Sequence, residues 1–144
     1  MLPATAERVR SNTSDEINEQ IAQETERNIA RYAHAGTGAI DRRLAELDRE
    51  WDVERYLETM APTVTLLGLF LGVTSNRKWL ILPAVVQSFF LLHALQGWCP
   101  PLPVLRRLGI RTIGEIHKER YALKALRGDF ENVSDETAMA AVEG

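Results

Sequence analysis

Between Trp79 and Trp98 the chain reads WLILPAVVQSFFLLHALQGW, a stretch whose only titratable side chain is His93. Wound as an α-helix rising ~1.5 Å per residue, it places the two indoles roughly 28 Å apart, close to the ~30 Å hydrocarbon thickness of a bilayer. Tryptophan concentrates at membrane interfaces, so Trp79 and Trp98 fit the two ends of a spanning helix. A shorter apolar run, Ala61 to Val73, precedes it; extended back to Tyr56 and forward to Ser75, it too reaches the length that spans, with Glu58 at headgroup depth. The polar turn SNRK joins the two runs, which predicts a helical hairpin over residues 56–99.

The distribution of charge supports this reading better than its total does. Residues 1–55 carry 8 basic and 12 acidic side chains, residues 56–99 carry 2 and 1, and residues 100–144 carry 7 of each. The formal net charge of −3 and the mixed signs at both ends exclude the basic face that nucleic-acid binding needs to neutralise phosphates. A single cysteine excludes an internal disulfide and a thiolate metal cluster within one chain. The opening residues MLPATAERVRSNTSDE have no apolar core of a secretory signal, so insertion is expected to be directed by the internal spans.

Residues 1–13 are small, polar and aperiodic and read as a flexible tail. Residues 14–55 read as a charged, amphipathic helical region. A helix starts at Ser14, with Asp15 and Glu16 at the positive end of its dipole and a thin stripe of Ile17, Ile21, Thr25 and Ile29. AHAGTGA marks a break, after which Ile40, Leu44, Leu47, Trp51 and Leu57 follow the helical period. Leu44, Leu47 and Trp51 are the anchors by which this second helix docks. A membrane surface, a partner helix and the rest of its own small domain all fit such a face. Within the first span, Gly68 and Gly72 form GLFLG, a small-residue face suited to close helix contact between the spans or between chains. Pro62 and Pro83 fall near the starts of the spans, where a missing N–H costs least. Residues 100–130 read as a proline-rich exit followed by an amphipathic helix, with Pro100, Pro101 and Pro103 forcing an extended path. Thr112 and Glu115 match a capping box, so that helix is expected from about Ile113 to Leu126. Residues 131–144 read as a second tail.

Lysine and arginine near the spans set the orientation. Arg42, Arg43, Arg49 and Arg55 precede them and Arg106, Arg107 and Arg111 follow, against Arg77 and Lys78 in the connecting turn, so both termini are expected on the cytoplasmic side.

Chemistry-bearing residues are few. Cys99 sits just past the second span in GWCP, where it is either a small apolar filler or a thiol open to modification; a helix C-terminus disfavours a thiolate. His93 lies six residues earlier, about 240° away on a continuous helix, so the two do not form a ligand pair. A histidine inside a span needs a partner, either Thr63 or Thr65 across the hairpin or a cofactor. His117 with Glu115 and Glu119 reads as a solvated charged face. The chain contains no phosphate-binding loop, dinucleotide fingerprint or H-E-x-x-H motif, and no active site is evident.

Gly68, Leu71, Gly72, Gly97, Trp98 and Cys99, with Arg55 loosely matching a basic residue ahead of the first span, resemble the YgaP-like inner-membrane transmembrane domain family (DUF2892) over roughly residues 55–108. The resemblance implies a helical hairpin that can pair in the membrane. Some members carry a rhodanese domain that holds sulfur as a persulfide; this chain has no room for that domain, so its transferase activity does not carry over. CPPLP and the charged helices on both sides lie outside the shared pattern.

The expectation is therefore an all-α membrane protein with a two-span hairpin and amphipathic cytoplasmic helices on both sides, in a bacterial inner membrane. Its expected partners are membrane lipid and either a second copy or other membrane-protein subunits, with no nucleic acid and no cofactor. Two further roles compete with an accessory one: thiol-dependent sulfur or redox handling through Cys99, and a cofactor-associated subunit using His93.

Overall fold

Asp52 begins the longest helix by accepting a hydrogen bond from the Arg55 amide at 2.9 Å, which satisfies one of the free donors at a helix start. In the computed structural model, which describes residues 2–134 and 137–143, the chain is all-α. Its seven α-helices among the described residues are α1 (Asp15–Ala33), α2 (Thr37–Leu47), α3 (Val53–Thr74), α4 (Ile81–Gln96), α5 (Leu102–Arg107), α6 (Ile113–Arg127) and α7 (Ala138–Glu143). They belong to two units with separate cores. One comprises residues 1–19 and 51–112, the other residues 20–50 and 113–144.

In the first unit, α3 and α4 run antiparallel, joined through a 3-10 turn at Arg77–Leu80 whose start is capped by the Asn76 side chain. The α3 helix and the Arg77–Gln96 segment are each long and apolar enough to cross a membrane. Close approach between them comes from glycine. A Cβ on Gly68 would lie 2.5 Å from Cδ of Pro83, and one on Gly72 would overlap the side chain of Leu80. Thr65 Oγ1 accepts from Gln87 Nε2 at 2.8 Å, a further tie across the pair. Pro83 is the third residue of α4, where its missing N–H is harmless, but α3 begins earlier than its apolar run suggested, so Pro62 lies in the helix interior. At the far end Gly97 takes φ of +81° and donates its N–H to the His93 carbonyl at 2.7 Å, ending α4 two residues short of Cys99.

The prolines that follow do not force an extended exit. Proline is tolerated in the first turn of a helix, and with Pro101 as its cap and Pro103 at its second position α5 forms at once. Leu102 and Leu105 of α5 join Val53 and Leu57 of α3, Cys99 and Val9 in one buried cluster. Residues 4–12, expected as tail, therefore contribute to this core. Arg106, fully buried, holds the same segment by bonding Thr13 Oγ1 at 3.1 Å, Asn18 Oδ1 at 3.0 Å and the Ile110 carbonyl at 3.0 Å.

In the second unit the stripe Ile40, Leu44 and Leu47 of α2 packs on Ile116 and Leu123 of α6, with Tyr32 of α1 against them. Burying each such side chain contributes roughly 2 kcal/mol. Ion pairs flank this seam: Arg43 with the buried Glu119 at 2.7 Å, Asp48 with Arg120 at 2.5 Å, and Asp41 with Arg127 at 2.6 Å. Burial works against the charge of the Arg43 guanidinium, but its bonds to Glu119 and Glu46 together outweigh it and hold the charged form more firmly than usual. Lys124 donates to the Val142 carbonyl of α7 at 2.9 Å, so part of the expected C-terminal tail is helical. Met1, Asp135, Glu136 and Gly144, also assigned to the tails, lie outside the described residues.

The second helix of the sequence reading is thus two elements. α2 stops at Leu47 and a new helix begins at Val53, so Trp51 does not continue the stripe of Leu44 and Leu47. It is partly exposed, edge-on to Tyr56 at 5.3 Å, with the Arg55 guanidinium 4.6 Å above its ring.

Candidate functional site

The polar groups of the first unit converge where α3 starts and α4 ends. Glu54, in the first turn of α3, bridges two partners: its Oε1 accepts from Arg8 Nη2 at 2.7 Å, and its Oε2 lies 3.0 Å from His93 Nε2. His93 is only 1% exposed although it lies on an otherwise apolar helix. A buried imidazole without a partner is costly, and Glu54 removes that cost at one nitrogen. The carboxylate also selects the tautomer, because Nε2 must carry the hydrogen it shares with Glu54. The other nitrogen, Nδ1, is buried and makes no hydrogen bond among the described residues.

α4 does not continue through both His93 and Cys99. The left-handed turn at Gly97 reverses the chain, and the 240° separation of an unbroken helix no longer applies. The thiol is itself buried, among Val53, Leu57, Leu102 and Leu105. The Arg106 guanidinium bonds Thr13, Asn18 and the Ile110 carbonyl. Thr63 and Thr65, expected as partners for His93, are engaged elsewhere, Thr63 with the Thr59 carbonyl and Thr65 with Gln87.

The remaining candidates have separate places. Gly68 and Gly72 face Pro83 and Leu80 of the same chain. Trp79 and Trp98 are exposed at the two ends of the Arg77–Gln96 segment, and Trp98 meets Phe89 edge-to-face at 6.2 Å. Leu44 and Leu47 are core residues of the second unit. In that unit His117 stacks edge-on against Tyr121 at 5.9 Å, while Glu115 and Glu119 are buried. Among the described residues no group of three or more histidine, cysteine, aspartate or glutamate side chains is placed to hold a metal ion.

Two participants were not singled out from sequence: Glu54 and Arg8. The signal for Glu54 was available, since a carboxylate at the start of one apolar helix and a histidine at the end of the next meet when the two helices run antiparallel. Arg8 carried no comparable signal, because nothing local ties residues 4–12 to the end of α4. No family model, no curated protein and no solved structure matches this chain.

Proposed function

We propose that α3 and the Arg77–Gln96 segment cross the bilayer as a two-span hairpin and that the chain is a non-catalytic membrane protein, assembling with itself or as an accessory subunit of a membrane complex. One observation carries the reading. In the most apolar stretch of each segment only 17% and 11% of residues are buried within the chain, so nearly all of this surface faces outward. Leu66, Phe70, Val73, Ile81 and Leu91 are among the large side chains so exposed. A surface of this size on a soluble monomer is a liability, whereas hydrocarbon covers it without penalty. Trp79 and Trp98 then sit at the two interfaces.

The excess of arginine flanking the hairpin supports an orientation with both termini in the cytoplasm of a bacterial cell and Arg77 and Lys78 on the far side. The hairpin resembles the YgaP-like module over residues 55–108, and on this reading it serves as an anchor and contact surface. Because Gly68 and Gly72 are occupied by Pro83 and Leu80, contacts to other subunits fall on the outward faces.

Membranes from cells expressing the full chain test this directly. The protein is expected to stay in the pellet after extraction at pH ~11, and release into the supernatant would sink the reading. Asn76→Cys in a Cys99→Ser background should react with a membrane-impermeant maleimide only from the periplasmic side. Native mass spectrometry of gently released complexes should show more than one subunit, and a lone chain would count against assembly.

A further inference from the structure

Each exposed hydroxyl of α3 and α4 turns back on its own helix. Thr59, Thr63, Thr74 and Ser88 donate to the carbonyls of Arg55, Thr59, Phe70 and Ala84, all within 2.8 Å. Gln87 has no such recourse. Its carboxamide offers two N–H donors and a carbonyl oxygen, and among the described residues it makes one hydrogen bond, from Nε2 to Thr65 Oγ1 at 2.8 Å. The side chain is exposed, so its second N–H and its Oε1 are open to the surroundings. Gln87 follows Trp79 by roughly 12 Å of helix, near the middle of a ~30 Å hydrocarbon layer. Lipid tails offer neither a donor nor an acceptor there, and a polar group left unpaired in them is costly. The same side of α4 is shaped for another helix. Ala84, Gln87, Leu91 and Ala94, all exposed, recur at spacings of three and four, the seam along which parallel helices pair. The alanines on either side of Gln87 let two backbones come close.

We propose that two copies of the chain pair in the membrane along this seam, Gln87 bonding its counterpart across a two-fold axis parallel to the membrane normal. Copies of one chain insert in the same orientation, so a residue at mid-depth meets itself at the same depth. A carboxamide is self-complementary: the open N–H of each copy donates to Oε1 of the other, and both groups are satisfied. That complementarity selects a second copy, because any other subunit would have to bring a donor and an acceptor together to the same depth. The bond to Thr65 orients the carboxamide, and a single polar position in an otherwise apolar seam fixes the register of the pair. The proposal rests on the membrane reading and deepens its assembly half by naming the partner and the contact.

The test uses membranes from cells expressing the full chain in a Cys99→Ser background, with one new cysteine at a time. Copper phenanthroline oxidises neighbouring thiols, and the readout is the fraction of chain running as a disulfide-linked pair. Ala84→Cys and Ala94→Cys should form that pair at least tenfold faster than Val85→Cys and Phe89→Cys, which lie roughly 160° around α4 from Gln87. Adding Gln87→Leu should lower the paired fraction of Ala84→Cys about tenfold, the scale of one or two hydrogen bonds in a membrane. Thr65→Val breaks the same bond within the hairpin but keeps the carboxamide, so it should leave pairing within about twofold of the parent. A fall in Thr65→Val equal to that in Gln87→Leu would show that Gln87 acts inside one chain and would overturn the proposal. Equal pairing at positions 84 and 85 would overturn the seam, and it decides the matter even should Gln87→Leu not accumulate. Linkage of Ala84→Cys to a protein of another mass would overturn the second copy. Release of the parent at pH ~11 defeats the membrane reading itself, whereas retention in the pellet without pairing defeats this proposal alone.

Discussion

Glycine 97 has the largest structural consequence of any single residue in the first unit. Its φ of +81° is a conformation that other residues adopt at a cost, and the space for a side chain is filled by the Arg8 backbone. Gly97→Ala is therefore expected to destabilise the protein by about 2 kcal/mol or more, read as a lower thermal midpoint in detergent, with residues 4–12 becoming susceptible to protease. A wild-type midpoint would show that the Arg8 backbone does not pack on this turn. Arg106 gives a second test. Its guanidinium is buried and satisfied by Thr13, Asn18 and the Ile110 carbonyl, so Arg106→Ala strands several acceptors and is expected to cost about 3 kcal/mol in the same measurement. At this scale sequence reasoning was weakest. The end of α4 before Cys99 was not legible, because it rests on the backbone angle of one glycine.

Among the elements, the α3–α4 contact makes a ranked prediction. At Gly68 an added Cβ meets the ring of Pro83, which has no rotamer to yield, whereas at Gly72 it meets the end of the Leu80 side chain, which can turn away. Gly68→Ala should lower the thermal midpoint clearly more than Gly72→Ala, and the reverse order would mean that the helices do not pack in this register. The C-terminus of α6 carries a pH-dependent contact. Arg127 bonds the Asp129 carboxylate and holds it below the ordinary aspartate range. A depressed carboxylate stabilises the fold fully above the ordinary aspartate value of about 4, and that stabilisation is lost as pH falls through the lowered folded value. Amide exchange around Gly128 should accelerate below about pH 4, relative to an Asp129→Asn variant that lacks the dependence. The start of α1 at Asp15 and of α6 at Ile113 were legible because acids and caps are local signals. The stop between Leu47 and Val53 was not, because the apolar period of Leu44, Leu47, Trp51 and Leu57 continues across it and only the Asp52 cap breaks it.

For the molecule as a whole, the two units differ in what holds them. The second has a conventional core in which Leu123 and Ile116 are almost fully buried, so Leu123→Ala is expected to cost about 2–4 kcal/mol, seen as lost hydrogen-exchange protection in α2 and α6. The first buries little of its apolar surface, and on the membrane reading its stability depends on the lipid or detergent around it. An unchanged thermal midpoint of the first unit across micelles of different thickness would count against that dependence.

Composition and periodicity alone established that the chain is helical and that two apolar segments long enough to cross a bilayer lie between charged flanks, because hydrophobic length and charge distribution are additive properties of neighbouring residues. Tertiary structure alone decided that Glu54 meets His93 and Arg8, that Val9 enters the core of the first unit, and that α2 and α6 share a core. Those contacts join positions far apart in sequence, set by one left-handed glycine, one buried arginine and two complementary helix faces, and no local pattern encodes such pairings.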